Sequence, residues 1–311
     1  RERCPKMSLT KVDWFGFRSK GAVPEVIEAL GGIFDRGMPK VMPRQRKSGW
    51  NGFKSSADLF VGDMQVGFMA YGGESQRGNV MVNITGMGCA WAVPDWDQVQ
   101  DAVDALPNYE VRRLDIALDT FHREVTHDKV VDAYRNGQFT LAGRPPSMTR
   151  IEPEDPLEGA TIYIGKRENA KFLRCYQKGL ELVKAYPRGA IRHLEGVPVE
   201  DIYRVELELK AKEGPLPVDL IDKRDQYFAG AYPYLQTLVD VKPEVFVQSR
   251  ENVPQLALAG MLANIRRQYG SALFTAMVAH HGDIGAVWDQ IVGDKHHADL
   301  VAAGVLMVEH D

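Results

Sequence analysis

Residues 111–121 read VRRLDIALDTF. Alternate residues of a strand point to opposite faces. Leu114, Ile116 and Leu118 therefore share one face, while Arg113, Asp115, Ala117 and Asp119 share the other. A second stretch, YRVELELK (203–210), has the same design. Val205, Leu207 and Leu209 form its apolar face, and Arg204, Glu206, Glu208 and Lys210 its charged one. If the two strands lie side by side, their charged faces coincide. Asp115 or Asp119 then meets Glu206 or Glu208 around one cation. Carboxylates are hard oxygen ligands that suit Mg²⁺ or Mn²⁺. Asp115 and Asp119 are about 13 Å apart along an extended strand, so an unbent strand offers an ion only one of them. Taken singly, each stretch also reads as a water-facing sheet surface with an Arg–Asp pair.

The remaining chain alternates strands and helices. TKVDWFGFR (10–18) reads as a first strand, and PEVIEALGGIF (24–34) as a helix stopped by Gly31–Gly32. Residues 58–73 read as a hairpin turning at Gly62–Asp63, and 78–89 as a strand. Residues 95–106 read as an amphipathic helix with Asp95 as N-cap. A helix follows at 127–137, then a Pro- and acid-rich loop at 151–159. Residues 160–167 and 171–178 read as paired strands joined across Glu168–Ala170, followed by a helix at 179–186. From about 217 the pattern is helical. The expected class is α+β: two similar halves, each with an antiparallel sheet and packed helices, plus a helical C-terminal tail. The expected domains are 1–150 with the acidic strand, 151–216 with Tyr163 and Tyr176, and 217–311.

Composition narrows the function classes. Of 311 residues, 44% are apolar and 26% charged, the balance of a soluble globular protein. No apolar run nears the roughly 20 residues of a membrane span, and no secretory pattern opens the chain. Met7 reads as a candidate start, and the expected location is the cytoplasm. Cys4, Cys89 and Cys175 are sparse and form no CxxC, which argues against a disulfide framework or a structural zinc site. GxSxG, HExxH and Walker A motifs are absent, and GMGCAW lacks the third glycine of a dinucleotide loop. His280–His281 and His296–His297 read as surface pairs, because adjacent helical residues point about 100° apart. No His-hydrophobe-His triplet occurs.

A net charge of −4 excludes a protein coated in positive charge. Two stretches are locally basic. Residues 36–54 carry six Lys/Arg and no acid, with Arg44, Arg46 and Lys47 close to Trp50 and Phe53. Residues 166–178 carry five Lys/Arg (Lys166, Arg167, Lys171, Arg174 and Lys178) against Glu168 alone. Basic residues interleaved with aromatics suit phosphates and bases. A solvated loop suits either stretch as well. Within KFLRCYQK, Leu173 and Cys175 share one face, and Arg174, Tyr176 and Lys178 the other. A phenol with a pKa near 10 needs help to act as a nucleophile. Neighbouring cations stabilise phenolate and the charge that develops on a phosphoryl group. Tyr163, in TIYIGKR, has similar surroundings. Both tyrosines also read as ordinary amphipathic residues.

Four segments in order sharpen this: VDWFGF, RRLDIALDT, TIYIGKRENAKFLRCYQKGLE and YRVELELK. Together, over residues 10–212, they resemble the replication initiation factor family of rolling-circle plasmids and filamentous phages. That family has an R-L-D-apolar-A-x-D strand, a T-x-Y-x-G-S-R-x-S…R-x-Y-x-K-x-x-E block and an R-x-E strand. Lys166 and Asn169 depart from it by standing where serine is usual. The resemblance implies a metal-dependent, site-specific DNA nicking-closing enzyme using Mg²⁺ or Mn²⁺. It maps the nucleophile to Tyr176, flanked by Arg174 and Lys178, with Tyr163 as rival. Asp115, Asp119 and Glu206 fall on the acidic metal positions. Arg167, Lys166, Lys171, Arg44, Arg46 and Lys47 are the expected DNA contacts. The implied partners are origin DNA, both duplex and exposed single strand, with a host helicase and polymerase. A homodimer is possible, no membrane is involved, and the setting is a bacterial host cell. A conjugative relaxase would share this chemistry. A non-catalytic DNA-binding regulator would instead use the C-terminal helices around Ile265, Arg266 and Arg267.

Overall fold

The computed structural model describes residues 9–34, 40–91, 96–141, 143–212, 214–246 and 254–293. Cys4, the expected N-cap Asp95, Arg267's side chain and the His296–His297 segment lie outside the described part. The strands are β1 (Lys11–Ser19), β2 (Val41–Gln45), β3 (Ser55–Val61), β4 (Met64–Tyr71), β5 (Val80–Ile84), β6 (Glu110–Thr120), β7 (Met148–Ile151), β8 (Thr161–Ile164), β9 (Lys171–Tyr176), β10 (His193–Leu194), β11 (Val197–Pro198) and β12 (Tyr203–Lys210). The helices are α1 (Val23–Phe34), α2 (Gly86–Trp91), α3 (Trp96–Asp104), α4 (His127–Arg135), α5 (Lys178–Leu182), α6 (Arg224–Ala231), α7 (Pro233–Gln236), α8 (Pro254–Ala279) and α9 (Ile284–Ile291). No helix among the described residues is long and apolar enough to cross a membrane.

Two compact units divide the chain, Arg1–Gln248 and Ser249–Asp311. The first holds a ten-stranded, wholly antiparallel sheet in the order β2-β3-β4-β5-β1-β6-β12-β9-β8-β7. The α+β class is as expected, and its two halves are wings of one sheet. Strands β2 to β6 form one wing, and β12, β9, β8 and β7 the other. They join where β6 pairs with β12. The second unit contains α8 and α9. Asp283 caps α9 by accepting from the Ala286 amide at 3.1 Å.

The alternation read from the sequence sets which face is covered. Leu114, Ile116, Val205, Leu207, Leu209, Leu173 and Cys175 are all fully buried in one continuous core. Each such aliphatic side chain contributes about 1.5–3 kcal/mol relative to exposure. Aromatic pairs fill the wings. Phe15 meets Trp96 edge-on at 6.0 Å, and Phe139 lies 5.5 Å from Tyr232 and 5.2 Å from Tyr234. The sequence pattern signals neither the two-residue pair β10–β11 nor two short strands of the large sheet, β2 inside the basic stretch and β7 just before the Pro- and acid-rich loop. Strands β2 and β7 are the edges of the large sheet, where few residues are buried and alternation is faint. Pro43 fits an edge strand, since it has no ladder donor to offer. The helix expected over 179–186 is shorter, ending at Leu182 and continuing as turns.

Candidate active site

Strands β6, β12 and β9 lie side by side at the centre of the sheet. Their register places Arg204 opposite Asp119 and Tyr176, Glu206 opposite Ala117 and Arg174, and Glu208 opposite Asp115 and Phe172. Directly opposed residues share a face. The charged faces of β6 and β12 therefore do coincide, and β9 adds Arg174 and Tyr176 to them. Burial here is unusual for charge: Glu206 is 1% exposed, Asp115 and Glu208 2%, and Arg204 4%. Charges this deep persist only when paired.

The pairing is extensive. Arg204 forks onto Asp119, with Nε to Oδ1 at 2.6 Å and Nη2 to Oδ2 at 2.9 Å, and its Nη1 donates to Asp13 at 2.7 Å. Lys11 also bonds Asp119. Arg113 forks onto Asp115 at 2.9 and 2.6 Å and donates to Glu208 at 3.0 Å. Glu208 also meets Lys210. Arg174 donates to Glu206 at 2.5 Å, and the Tyr176 hydroxyl donates to the other Glu206 oxygen at 3.2 Å. Cations lie over the Tyr176 ring on two counts, Arg174 at 5.4 Å and Lys178 at 5.7 Å from its centroid.

Asp13 was not singled out in the sequence. It reaches the cluster because β1 bulges between Val12 and Trp14, leaving Asp13 outside the register with β6. A bulge re-aims a side chain in this way. No period-2 pattern signals it, because the bulge breaks the period.

Electrostatics follow from burial and pairing. Burial pushes the Asp115 carboxyl up to about 7. Arg113 opposes this, and the nearby charges of Glu206 and Glu208 add to it. Asp119 is held below the ordinary carboxylate range: burial works against this, but the Arg204 fork and Lys11 outweigh it. The Tyr176 phenol is raised well above its ordinary value, by burial first and by Glu206 second.

These donors bear on a divalent cation. Mg²⁺ is commonly held by one or two carboxylates, with water and substrate phosphates completing its octahedron. Asp115 and Glu206 supply two buried carboxylates close enough to raise a pKa between them. The donor chemistry fits that arrangement. It does not extend to a closed protein cage: among the described residues no three His, Cys, Asp or Glu side chains could hold an ion. Each of these carboxylates is also paired: Asp115 with Arg113, Glu206 with Arg174 and Tyr176, and Asp119 with Arg204 and Lys11.

The other expected residues fall in three places. Tyr163 lies across from Arg174 on β8, its ring 5.4 Å from Phe172. It lines a cleft of about 550 Å³ with Ser147, Thr149, Lys166, Arg167 and Arg174. Arg174 thus separates this cleft from Tyr176. Lys171 is on the opposite face, where its ammonium donates to the Ala231 carbonyl at 2.7 Å and sits 4.1 Å from the Tyr232 ring centroid. Its parity with Leu173 and Cys175 was the signal. Arg44 and Arg46 belong to or follow the edge strand β2, seven strands from β9, roughly 34 Å at the usual strand spacing. Lys47, exposed, follows Arg46.

Comparison with known proteins bears on this geometry. No curated protein matches the chain. A rolling circle replication initiator protein from Geobacillus stearothermophilus has a solved structure similar to this one. It is 19% identical, with a TM-score of 0.48, over 65% of this chain and 74% of that one. The family model described as replication initiation factor matches residues 109–259. That span opens just before β6 and takes in β9 and β12, the three strands that carry the buried charge cluster. Through residues 109–259, just under half of its length, the chain is similar to the replication initiation factor family.

Proposed function

We propose that the protein initiates rolling-circle replication by nicking one strand of origin DNA, with Tyr176 as the nucleophile. The observation that carries this reading is the Tyr176 hydroxyl donating to buried Glu206 beneath two cations, inside the family-matched span. The step is a transesterification. The Tyr176 oxygen bonds to the scissile phosphorus, its proton passes to Glu206, and the bond from phosphorus to the 3′ oxygen breaks. The DNA 3′ oxygen leaves as an alkoxide that takes a proton from water, giving a hydroxyl able to prime synthesis, and the 5′ phosphate stays on the tyrosine. Arg174 and Lys178 flank the ring, where they neutralise the charge that develops on the phosphoryl oxygens. No nucleotide triphosphate is consumed.

Asp115 and Glu206 are the residues that would hold Mg²⁺ or Mn²⁺, which supplies Lewis-acid polarisation of a phosphoryl oxygen when bound. Arg113 positions Asp115, and the Arg204–Asp119–Asp13 cluster holds β1, β6 and β12 in register. Lys166 and Arg167, at the mouth of the neighbouring cleft, contact the DNA backbone. Duplex origin, exposed single strand and host replication proteins are the partners this reading entails, in a bacterial cytoplasm.

The test is covalent capture. Purified protein, Mg²⁺ or Mn²⁺ and a supercoiled origin plasmid should yield nicked circles with protein on the 5′ end. Tyr176→Phe should abolish the adduct and Tyr163→Phe should leave it. The reverse pattern assigns the chemistry to Tyr163, whose cleft is the more open of the two positions.

A further inference from the structure

The sheet face that carries the acidic strands continues across the β2–β6 wing. Arg44, Asp58, Phe68, Asn83, Gly16 and Arg113 are successive cross-strand partners there, so they share that face. The open face of an antiparallel sheet is ordinarily polar. This one holds a run of aromatic rings. Trp50, 36% exposed, packs edge-on against Phe68 at 5.0 Å, and Phe68 packs against Trp14 at 6.2 Å. Guanidinium groups lie over the rings: Arg46 at 5.0 Å from Phe68, Arg113 at 4.5 Å from Trp14, and Arg44 at 3.9 Å from Phe60. In the middle sits Asn83, 7% exposed. Its carbonyl accepts from the Trp14 indole at 3.1 Å, while its amide nitrogen has no hydrogen-bond partner among the described residues. The adjacent position is glycine: a Cβ on Gly16 would lie 2.8 Å from the Asn83 carbonyl oxygen.

We propose that this wing is a stacking track for single-stranded DNA, leading along the sheet face to the charge cluster. Bases rest on Trp50, Phe68 and Trp14, and phosphates meet Arg44 and Arg46, the latter also paired with Asp58 on the same face. Three features select this ligand. Aromatic faces bind bases that are unstacked from a duplex. Guanidiniums over rings form the basic-and-aromatic mixture of single-strand grooves. Arg113 contacts both the last ring of the track and Asp115, so the track abuts the proposed site. The proposal deepens the function proposed above and rests on its DNA chemistry.

The experiment uses the full chain with a fluorescein-labelled oligothymidine of about 20 nucleotides, read by anisotropy across salt concentrations. Trp50→Ala and Phe68→Ala are each expected to weaken binding at least fivefold, the low end for losing one base–aromatic stack. The double variant Arg44→Gln/Arg46→Gln should lower the slope of log K against log salt by about 1.4, at about 0.7 per lost contact. Trp50 is a surface residue, so its variant keeps the test decisive should Phe68→Ala fail to fold. Binding by Trp50→Ala within twofold of the unaltered protein overturns the track. So does preference for a duplex of equal length that is insensitive to Trp50→Ala. Absence of any adduct from the unaltered protein with Mg²⁺ or Mn²⁺, with Trp50-dependent binding intact, would sink the nicking reading and leave the track standing. Nicking with no Trp50 dependence would do the opposite.

Discussion

Glu206→Gln tests the proposed chemistry most directly. The residue is 1% exposed and accepts two hydrogen bonds, from Arg174 at 2.5 Å and from the Tyr176 hydroxyl at 3.2 Å. Glutamine keeps the shape but has one acceptor oxygen. The charge-assisted bond to Arg174 is the stronger claim on that oxygen, which leaves the amide NH₂ facing the phenol. Tyr176 then accepts a hydrogen bond where it had donated one, and its proton has no base. A positioned general base contributes about 10²–10⁴ in rate, which is about 2.7–5.4 kcal/mol of barrier at 1.36 kcal/mol per tenfold. Folding stability should fall far less. Arg174's side chain is 30% exposed and retains a neutral partner, so about 1–2 kcal/mol is lost. The assay is single-turnover formation of the covalent adduct on a single-stranded oligonucleotide spanning the nick, quantified on denaturing gels, with oligonucleotide affinity as control. Glu206 is also the second cause of the raised Tyr176 phenol pKa. Residual activity in the variant should therefore climb more steeply with alkaline pH than that of the unaltered protein. An adduct rate within about threefold of the original, at unchanged affinity, would refute the proton transfer to Glu206.

Other consequences concern stability, metal and pH. Arg204→Met strips the buried guanidinium from Asp119 and Asp13; Lys11 compensates in part, so a loss of about 3 kcal/mol is expected in urea unfolding, against 3–5 for an uncompensated buried pair. Lys171→Met should stabilise the protein at neutral pH, because burial depresses the Lys171 ammonium to about 8. Charging it costs the fold up to about 3 kcal/mol below that pH, at 1.36 kcal/mol per pKa unit. The penalty fades as pH rises from 8 toward the unfolded value, so the advantage of Lys171→Met should shrink over that window in pH-dependent melts. A carboxyl near 7 at Asp115 makes protons compete with a cation. Nicking should thus require more Mg²⁺ at pH 6 than at pH 8, and Asp115→Asn should remove most Mg²⁺ response at both. Gly179→Ala should prevent proper folding of the segment after Tyr176, since its Cβ would sit 2.1 Å from the Val199 carbonyl oxygen; circular dichroism and oligonucleotide binding would both report the loss.

Much of the site was legible because strand alternation is local. A two-residue period needs no knowledge of the partner strand, so VRRLDIALDTF and YRVELELK each announce one apolar and one charged face. KFLRCYQK likewise separates Leu173 and Cys175 from Arg174 and Tyr176. The same parity assigns Lys171 to the covered face, and there the basic character of the stretch drew the reading toward DNA. Edge strands β2 and β7 were illegible because a short edge buries little. Asp13 was illegible because its bulge interrupts the period that would have marked it.

By itself, then, the sequence determined the α+β class, the two faces of the central strands, and the company that Tyr176 keeps on its own strand. Tertiary structure alone decided that β6 pairs with β12 across more than 80 residues of chain, in the register that sets Arg204 on Asp119 and leaves Glu206 to Arg174 and Tyr176. It also decided that one sheet face runs from the basic edge strand to the charge cluster. Register is a long-range choice. A slip of one residue would turn every charged side chain of β12 into the core, so the fold that buries Val205, Leu207 and Leu209 is also the one that assembles the site.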